Sequence, residues 1–185
     1  LELIYDGHAD QLRVQHPVRI QPDNLREQRQ DAFTHTLTPE NTTQAAAIDV
    51  GANNTLAVVT ESGDTAVYHA RPEFDRFHKH SKRIATLQSK LREGEYTSHR
   101  IQRLYDKRSL KRDHSRDTAV KHAADWLLER NVDTVYVGDL TGVLDTHWSD
   151  AVNEKNHAFW SHRQLLERIN LTFGDVGIEI QEVNE

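Results

Sequence analysis

The sequence predicts an α/β fold in which a mixed sheet carries a basic helical insertion, and three features support this prediction. An apolar segment at 46–50 is followed by strand-forming segments at 55–60 and 65–69, which together predict a three-stranded meander. A stretch from about 71 to 130 has apolar residues at the three- and four-residue spacing of helices. A buried-type strand at 134–137 then returns the chain to the sheet.

The first strand of the meander ends on a single carboxylate, Asp49, which shortly precedes Gly51. We expect this strand to be buried, and a carboxylate there is costly to remove from water unless a cation lies near it. The usual cation at such a place is a divalent metal ion. The order of strand, aspartate, glycine and two hairpin strands resembles the opening of the ribonuclease H-like fold, which supports two-metal phosphoryl transfer. The simpler interpretation, an aspartate that caps a turn, stays open from this segment alone.

Three regions are predicted along the chain. Residues 1–33 contain short alternating segments that are too small to hold a core, and we interpret them as the end of an upstream β domain. Residues 34–44 are polar and aperiodic and contain a proline, which predicts a linker. Residues 45–185 form the main domain, in which the insertion and its following strand precede a helix at about 156–173 and a last strand at 177–183.

The composition excludes several classes of protein. The 185 residues include no cysteine, so neither disulfides nor cysteine-bound zinc can form within them. No apolar run is long enough to cross a bilayer and no signal peptide is visible, so we expect a cytoplasmic protein without a membrane partner. Methionine is also absent, even at position 1, from which we expect a fragment or a processed piece.

The net charge of −6 hides a strongly basic segment. Between residues 76 and 116 there are 13 Lys and Arg residues against four acids, whereas the rest of the chain carries 10 basic and 25 acidic residues. A solvated helix face mixes both signs, so a block of one sign within an acidic protein indicates a polyanionic partner. The candidate contacts with nucleic acid lie on the two predicted helices: Arg76, Lys79, Lys82, Arg83, Arg100, Arg103, Lys107, Arg108, Lys111 and Arg112.

The balance of charged residues has a second implication. Acids outnumber bases, and arginine, with 16 residues, far exceeds lysine, with 7. Such a surface suits a cytoplasm of high salt, where charges are strongly screened. We therefore interpret the chain as similar to haloarchaeal proteins.

Histidine and tryptophan residues carry weaker signals. The chain has 12 histidines, but residues such as His114, His122 and His162 show no tight ligand spacing, so we expect surface or core histidines rather than metal ligands. The three tryptophans are expected to anchor the core rather than to stack on bases: Trp126, Trp148 and Trp160.

Two aspartates are the candidate catalytic residues and metal ligands. Asp49 ends the first strand and Asp139 follows the strand at 134–137, so their carboxylates approach each other if those strands are neighbours. Mg²⁺ prefers such oxygen ligands and keeps several waters, which leaves room for a substrate phosphate. In another interpretation, Asp139 belongs to a common Gly-Asp-Leu turn. Further acids have no compelling spacing: Asp145, Glu182 and Glu185.

Taken in order, these segments resemble a known family. The segment Ala47–Asn54 (AIDVGANN) is similar to the GIDLGxxN opening of the RuvC-like nuclease domain in TnpB proteins, the OrfB-type transposases of insertion sequences. The resemblance continues through Lys111–His114 in the basic insertion, Val135–Leu140 (VYVGDL) and Asn153–Leu166. It covers residues 45–185, and it implies that the preceding β segments are the end of the family's N-terminal β-barrel domain.

The resemblance implies an RNA-guided DNA endonuclease, with DNA and guide RNA as partners and a metal-bound acidic triad. Asp49 matches the first acid of the triad. The second acid of the family is a Glu directly before an Asp-Leu pair, and this chain has Gly138 there. Asp139 lies one residue further, which on a regular strand turns a side chain to the other face. The family's zinc ribbon and third acid come after the equivalent of Glu185, so zinc is expected only in that further part and the chain is expected to be truncated before it.

Two other interpretations stay open. The first is a catalytically inactive, truncated remnant that binds nucleic acid with the same fold and the same basic face, and Gly138 favours it. The second is a sugar-kinase-like or actin-like protein, which shares the strand-Asp-Gly opening. That class requires a glycine-rich phosphate loop after the first strand, whereas this chain has Asn53 and Asn54 there and only eight glycines overall.

Overall fold

The computed structural model describes residues 2–6, 11–15, 33–35, 37, 43–51, 53–138 and 158–183. The strands in these residues are β1 (Glu2–Asp6), β2 (Gln11–Gln15), β3 (Gln44–Asp49), β4 (Asn54–Thr60), β5 (Thr65–His69), β6 (Val132–Gly138) and β7 (Glu179–Val183). The α-helices are α1 (Arg71–Gln88), α2 (His99–Glu129) and α3 (His162–Asp175). No helix among the described residues has the length and apolar character needed to span a membrane.

The central feature is a five-stranded mixed sheet with the strand order β5-β4-β3-β6-β7. Strand β3 pairs antiparallel with β4 and parallel with β6, while β5 is antiparallel to β4 and β7 is parallel to β6. The chain passes from β5 through both α1 and α2 before β6, and such a long crossover is what allows parallel pairing. The predicted α/β fold with a mixed sheet is therefore confirmed. Strands β1 and β2 form a separate antiparallel pair.

One face of the sheet forms the core. In β3 the side chains of Ala46 and Ile48 are buried while Ala47 and Asp49 are exposed, as strand alternation requires, and Val50, directly after the strand, is buried too. The buried face packs against the C-terminal half of α2 and against α3 in one cluster of apolar residues. Burial of apolar surface, at roughly 25 cal/mol per Å², is the main term that holds these layers together.

The other face of the sheet carries apolar side chains that the described residues leave exposed. Val59 and Tyr136 are 43% and 38% exposed, and each pairs laterally with Ala47 of β3. Asp49 lies on this same face, two residues along β3. The carboxylate is therefore on the side of the sheet opposite to α2 and α3.

Helix α2 has two halves with different environments. Its 31 residues correspond to a length of about 46 Å. The C-terminal half is buried against the sheet through residues such as Val120 and Leu127, whereas Ile101 is the buried residue of the N-terminal half. That N-terminal half pairs with α1, which buries Phe77 and Ile84. The two helices thus form a hairpin that extends away from the sheet.

Local chemistry explains where these helices begin and end. Pro72 lies in the first turn of α1, where its missing N–H costs no hydrogen bond. The Ser98 side chain caps α2 by accepting a hydrogen bond from the backbone N–H of Ile101 at 3.3 Å. The loop between the helices turns at Gly94, whose φ of +88° suits glycine.

The last helix begins later than the apolar pattern predicted. The pattern predicted a helix from about residue 156, whereas α3 begins at His162, after one wide helical turn at 158–160. Ser161 separates the two with a φ of +44°, a left-handed conformation that a continuous α-helix cannot contain. The wide turn buries Phe159 against Phe77, with ring centroids 5.5 Å apart, so it joins α1 to the rest of the domain.

The tryptophan predictions have mixed outcomes. Trp160 is buried in the main core, which confirms its predicted role. Trp126 is partly buried against the same core, and the guanidinium of Arg130 lies 3.9 Å from its ring centroid. Trp148 lies outside the described residues.

A short segment before β3 is fastened to α2 by one carboxylate. Asp125 Oδ1 accepts hydrogen bonds from the backbone N–H groups of Thr34 at 2.9 Å and His35 at 3.0 Å, and it lies 3.2 Å from His35 Nδ1. Desolvation raises the pKa of Asp125, but the hydrogen bonds from His35 and Thr34 outweigh it and hold the pKa below its ordinary value. This contact ties a segment 90 residues away in sequence to the helix.

Candidate catalytic carboxylate and nucleic-acid interface

Asp49 ends the central strand β3 on the open face of the sheet. It pairs with Ala57 of β4, and its side chain is exposed, whereas Ile48 and Val50 on either side are buried. The expectation of a buried carboxylate is therefore wrong, because the strand is covered on one face and Asp49 points to the other. An exposed carboxylate can bind a ligand without first losing a protein partner.

The neighbouring parallel strand brings Gly138 beside Asp49. Strand β3 pairs with β6 through Ala47 with Tyr136 and Ile48 with Val137, and the next residues along the two strands are Asp49 and Gly138. The two strands are thus neighbours, which is the condition on which the pairing of Asp49 with Asp139 depended. Asp139 itself lies outside the described residues.

Of the further acids that the sequence offered, one can be located. Glu182 pairs with Val137, which pairs with Ile48, so these three residues belong to one face of the sheet. Asp49 follows Ile48 and therefore points to the opposite face. The structure therefore does not bring Glu182 to Asp49. Asp145 and Glu185 lie outside the described residues.

The turn after Asp49 connects the carboxylate to the helical hairpin. The backbone N–H of Gly51 donates to the carbonyl of Asn54 at 3.0 Å, and a Cβ at Gly51 would lie only 3.2 Å from that oxygen. The backbone N–H of Ala70, which precedes α1, donates to the carbonyl of Asn53 at 3.0 Å. The start of the hairpin is thus fixed to the turn that follows the candidate catalytic residue.

Most of the predicted nucleic-acid contacts are exposed on the hairpin. Eight of the ten basic side chains are exposed: Arg76, Lys79, Lys82, Arg83, Arg100, Arg103, Lys107 and Lys111. Of these, Arg76 makes an ion pair with Glu73 one helical turn away, at 2.7 Å. Exposed cations on two packed helices are the electrostatic footprint that a polyanion-binding element is expected to have.

The remaining two basic residues have internal partners. Arg108 donates to Ser81 Oγ at 2.9 Å, and its guanidinium lies 4.5 Å from the ring centroid of Phe77. Arg112 is 16% exposed and donates to the backbone carbonyl of Ala158 at 2.8 Å. Both arginines hold the hairpin together or join it to the wide turn, so we separate them from the exposed surface.

The basic groups of the two helices converge around His80. Desolvation lowers the pKa of this histidine, and four neighbouring cations lower it further: Lys111, Lys107, Arg83 and Arg108. Three of these cations belong to α2 and one belongs to α1. The positive potential is therefore a property of the hairpin as a whole rather than of one helix face.

Further along α2, basic residues bridge to α3. Arg116 donates to Asp113 and to Gln164 Oε1, the latter at 3.2 Å, and Arg168 Nε lies 2.8 Å from Asp117 Oδ1. Burial lowers the pKa of Arg116, although the Asp113 carboxylate opposes this shift. These pairs position α3 on α2 and contribute little to the exposed charge.

The sequence analysis missed a cleft at the edge of β5, which we call the β5 cleft. It has a volume of about 700 Å³ and is lined by Thr55, Val67, Tyr68, His69, Glu73, Arg76, Lys111, His114, Ser115, Thr118, Ala119 and His122. These residues come from β4, β5, α1 and α2, so no local motif marks them. The one available signal was the four-residue spacing of His114, Thr118 and His122, which places them along one side of a helix.

A family model decides the relationship of the chain to known proteins. The model of the OrfB_IS605 family, described as probable transposase, matches residues 15–144, which is more than two thirds of the chain. The chain belongs to this family. The predicted resemblance to OrfB-type transposases is thereby confirmed.

Individual relatives agree with this assignment. The chain is 25% identical over 151 residues to the TnpB-like protein ORF457 of Acidianus two-tailed virus, in an alignment that covers 77% of this chain and 32% of that protein. Two cryo-EM structures are also similar. A Cas12f1–sgRNA–target DNA complex matches with a TM-score of 0.59 and 20% identity, over 76% of this chain and 36% of that chain. A CRISPR-Cas12f ternary complex matches with a TM-score of 0.60 and 18% identity, over 94% of this chain and 31% of that chain. These structural similarities support the predicted ribonuclease H-like fold. The OrfB_IS605 chain spans about a third of the length of each of these relatives.

The family implies the use of a divalent metal ion, and the described residues supply part of what such an ion needs. Asp49 offers the exposed oxygen ligands that Mg²⁺ prefers. Beside it, however, Gly138 offers no side-chain ligand, and among the described residues no three His, Asp or Glu side chains come together as a metal site. Among the described residues of this OrfB_IS605 chain, Asp49 is therefore a single candidate ligand rather than part of a complete metal site.

Proposed function

We propose that this chain is part of a transposon-associated, RNA-guided DNA endonuclease, in which the helical hairpin holds nucleic acid and Asp49 serves the catalytic centre. The observation that supports this most directly is the hydrogen bond between Ala70 and Asn53, which fixes the base of the basic hairpin to the turn after Asp49. A nucleic acid held on the hairpin is thus held at a defined distance from an exposed carboxylate. We propose that it acts in the cytoplasm, where its DNA target is found.

The nucleic-acid partners are proposed to be target DNA and a guide RNA. The eight exposed cations of α1 and α2 can neutralise phosphates and release counterions, which gives affinity without base reading. The similar Cas12f1 structure is a complex with sgRNA and target DNA, which supports the same two partners here. Recognition of a guide–target duplex through its backbone and shape requires this kind of surface.

The catalytic centre is proposed to use a divalent ion, with Mg²⁺ as the candidate. Asp49 would hold the ion through its carboxylate oxygens, and Asp139 is the proposed second ligand. When bound, such an ion polarises a phosphoryl oxygen and stabilises the leaving oxygen in phosphodiester cleavage. The contribution of Asp49 itself is an exposed, negatively charged ligand at the end of the central strand.

A second candidate function is binding without cleavage. The specific observation in its favour is Gly138, which occupies the position beside Asp49 where the family is expected to carry its second acid. With glycine there, the hairpin keeps its charge while the catalytic centre has fewer ligands. This protein would bind guide RNA and DNA but leave the DNA intact.

A cleavage experiment separates the two candidates. Labelled target DNA is incubated with the chain, guide RNA and Mg²⁺, and products are resolved on a denaturing gel. Asp49→Ala tests the catalytic role, and Asp75→Ala, which changes an exposed aspartate on α1, is the matched control. Loss of cleavage in the first variant but not in the second supports the nuclease. Cleavage that survives in Asp49→Ala rejects the role of this residue, whereas binding without any cleavage by the parent chain supports the second candidate.

A further inference from the structure

We propose that a small pocket between the two helices of the hairpin holds one oxygen of an anionic group, and that this group is a backbone phosphate of the bound nucleic acid. We call it the hairpin pocket, and four cations line it together with a carboxylate and a histidine: Arg76, Arg108, Lys111, Arg112, Glu73 and His80. The identity of the anion rests on the proposed nucleic-acid function, whereas the anion site itself does not. The proposal goes beyond a diffuse basic surface because it assigns one phosphate to one place.

Positive charge is in excess around the hairpin pocket. Of the lining residues that the structure describes, four are cations and one is a carboxylate. Glu73 accepts a hydrogen bond from Arg76 at 2.7 Å, and Arg112 Nε lies 2.9 Å from Asp113 Oδ1. Lys111 makes no ion pair with any residue that the structure describes. Like charges that converge on one small space repel each other, and an anion between them removes that repulsion.

A side chain of the lining responds to this potential. Burial lowers the pKa of His80, and the charges of Lys111 and of three other hairpin cations lower it further. The same charges that disfavour a protonated imidazole favour an anion at that place. The shift therefore agrees with the excess of cations around the pocket.

The size of the pocket suits one atom of the anion rather than the whole group. Its volume of about 10 Å³ is close to the space that one water-sized atom occupies. A non-bridging phosphate oxygen is of this size. Hydrogen bonds from arginine and lysine to such a charged oxygen are roughly twice as strong as those between neutral groups. The rest of the phosphate then lies at the mouth of the pocket.

The mouth is shared with larger depressions on the surface. Glu73, Arg76 and Lys111 line both the hairpin pocket and the β5 cleft, and the last two side chains are exposed. Lys111 also lines an open depression of about 550 Å³ on α2, together with Arg103 and Lys107. The pocket, the cleft and the depression thus meet at Lys111. A phosphate that enters the pocket leaves the rest of its strand on a surface that already carries exposed cations.

A bound anion also joins the two helices. Arg76 belongs to α1 and Lys111 belongs to α2, so an anion between them adds a contact across the hairpin. A ligand that binds the folded state alone stabilises it in a way that depends on the ligand concentration relative to the dissociation constant. Anion binding is therefore expected to appear as increased stability of the chain.

The first test uses sulfate as the probe, because it has the charge and the oxygen geometry of a phosphate but does not titrate near neutral pH. Thermal unfolding is followed by circular dichroism as sulfate is raised at constant ionic strength with KCl. The unfolding temperature is expected to rise along a curve that saturates in the millimolar range. Lys111→Gln is expected to weaken sulfate binding about tenfold.

The matched control for this test is Lys79→Gln. Lys79 is an exposed lysine of α1 that lines neither the hairpin pocket nor the β5 cleft, so its loss removes the same charge from the hairpin. This variant should keep the parent response to sulfate. Circular dichroism without sulfate verifies that both variants fold.

The His80 imidazole provides a local readout of the same site. An anion in the pocket offsets the charges of Lys111, Lys107, Arg83 and Arg108, so sulfate is expected to raise the pKa of His80 towards its ordinary value. NMR titration of the imidazole resonances measures this, and His80→Gln identifies the resonances. The rise should be smaller in Lys111→Gln than in Lys79→Gln.

The second test asks whether nucleic acid uses the pocket. Affinity for a DNA duplex is measured by fluorescence anisotropy across a salt series. Both lysine variants lose one cation, so both are expected to lower the slope of log K against log salt by about one unit. Lys111→Gln is expected to lose about fivefold more affinity at low salt, because its partner phosphate occupies a built site.

The outcomes separate the anion site from the proposed function. A sulfate effect that does not saturate, or that is equal in the two lysine variants, overturns the hairpin pocket. Sulfate binding that depends on Lys111, together with equal losses of duplex affinity in both variants, overturns the assignment of the anion as a backbone phosphate. Failure of the parent chain to bind the duplex at low salt overturns the proposed function, while saturable sulfate binding in the same chain supports the anion site.

Discussion

Asp49 and Gly138 are lateral neighbours on the parallel strands β3 and β6, one step beyond the pair of Ile48 and Val137. Strand β6 therefore contributes no side chain at the level of the candidate catalytic carboxylate. A carboxylate at position 138 would project from the same face as Asp49 and from a strand about 4.8 Å away. A single substitution at Gly138 can therefore test whether a second carboxylate at this edge of the sheet strengthens metal binding.

The first prediction is that Gly138→Glu creates a tighter divalent-ion site. Two neighbouring carboxylates bind an ion more tightly than one, and we expect the affinity for Mn²⁺, used as a spectroscopic substitute for Mg²⁺, to rise about tenfold, which corresponds to roughly 1.4 kcal/mol. Titration followed by electron paramagnetic resonance measures this. The gain should vanish in the double variant with Asp49→Ala. Gly174→Glu is the control, because an added Cβ there meets nothing within 4 Å and the site is on α3.

The second prediction concerns the contact between α2 and the segment before β3. Asp125→Asn weakens the hydrogen bonds to Thr34 and His35, and we expect a loss of about 1 kcal/mol in the free energy of unfolding at pH 7. Because the pKa of Asp125 is depressed in the folded state, the parent chain keeps this stability above the unfolded pKa of about 3.9 and loses it as the pH falls through the lower folded value.

Urea unfolding at pH 7 and at pH 3 measures the effect. The difference between parent and Asp125→Asn should shrink at the lower pH. Asp106→Asn, on the exposed surface of the same helix, should change stability little at either pH. An unchanged difference at pH 3 would mean that the side chain acts through packing rather than through its charge.

The third prediction separates binding from folding on the hairpin. Arg103→Ala removes an exposed cation, so we expect weaker duplex binding and a slope of log K against log salt that falls by about one unit, with the unfolding midpoint unchanged. Fluorescence anisotropy across a salt series provides the measurement. Arg163→Ala changes an exposed arginine on α3 and should leave the slope as it is. If both variants lowered the slope equally, binding would be spread over the whole protein surface.

The fourth prediction concerns a basic residue of the hairpin that we expect to contribute to stability rather than to binding. Arg108→Met keeps much of the apolar stem but removes the hydrogen bond to Ser81 and the cation–π contacts with Phe77 and Tyr105. We expect a loss of about 1–2 kcal/mol in stability. Thermal unfolding by circular dichroism tests this. Lys107→Met, one residue earlier and exposed, should leave the melting temperature nearly unchanged.

The fifth prediction follows from the acidic remainder of the chain. Outside the basic segment, acidic residues outnumber basic ones by 25 to 10, so repulsion at low salt should destabilise the folded state. We expect the unfolding temperature to rise as KCl increases from 0.1 M towards the molar range. A chain that folds better and is more soluble in low salt would remove the haloarchaeal interpretation.

Much of the fold could be predicted from the sequence because its signals are local. The strand periodicity at 55–60 and the apolar spacing of the basic helices each depend on residues close together in the chain. The direction of Asp49 was mistaken for another reason: alternation assigns it to the face opposite Ile48, but only the sheet shows that this face is left open by the described residues.

The internal roles of two arginines were equally beyond the sequence. Arg108 and Arg112 look like the other cations of the basic segment, since their spacing is the same. Their partners, Phe77 and the Ala158 carbonyl, lie 31 and 46 residues away in the chain, and only the packing of the hairpin brings them together. The β5 cleft was missed for the same reason, because four elements contribute to it.

The different environments of the two halves of α2 determine how much of the helix projects from the domain. One end of the helix is embedded in the hydrophobic interior, so the other end projects as a rigid arm whose length is set by the backbone. Residues 99–111, which precede the contacts of α2 with the wide turn and α3, measure about 20 Å, whereas one turn of a double helix measures about 34–36 Å. The arm can therefore contact little more than half a turn of a bound duplex along its axis, and any longer contact requires other parts of the protein.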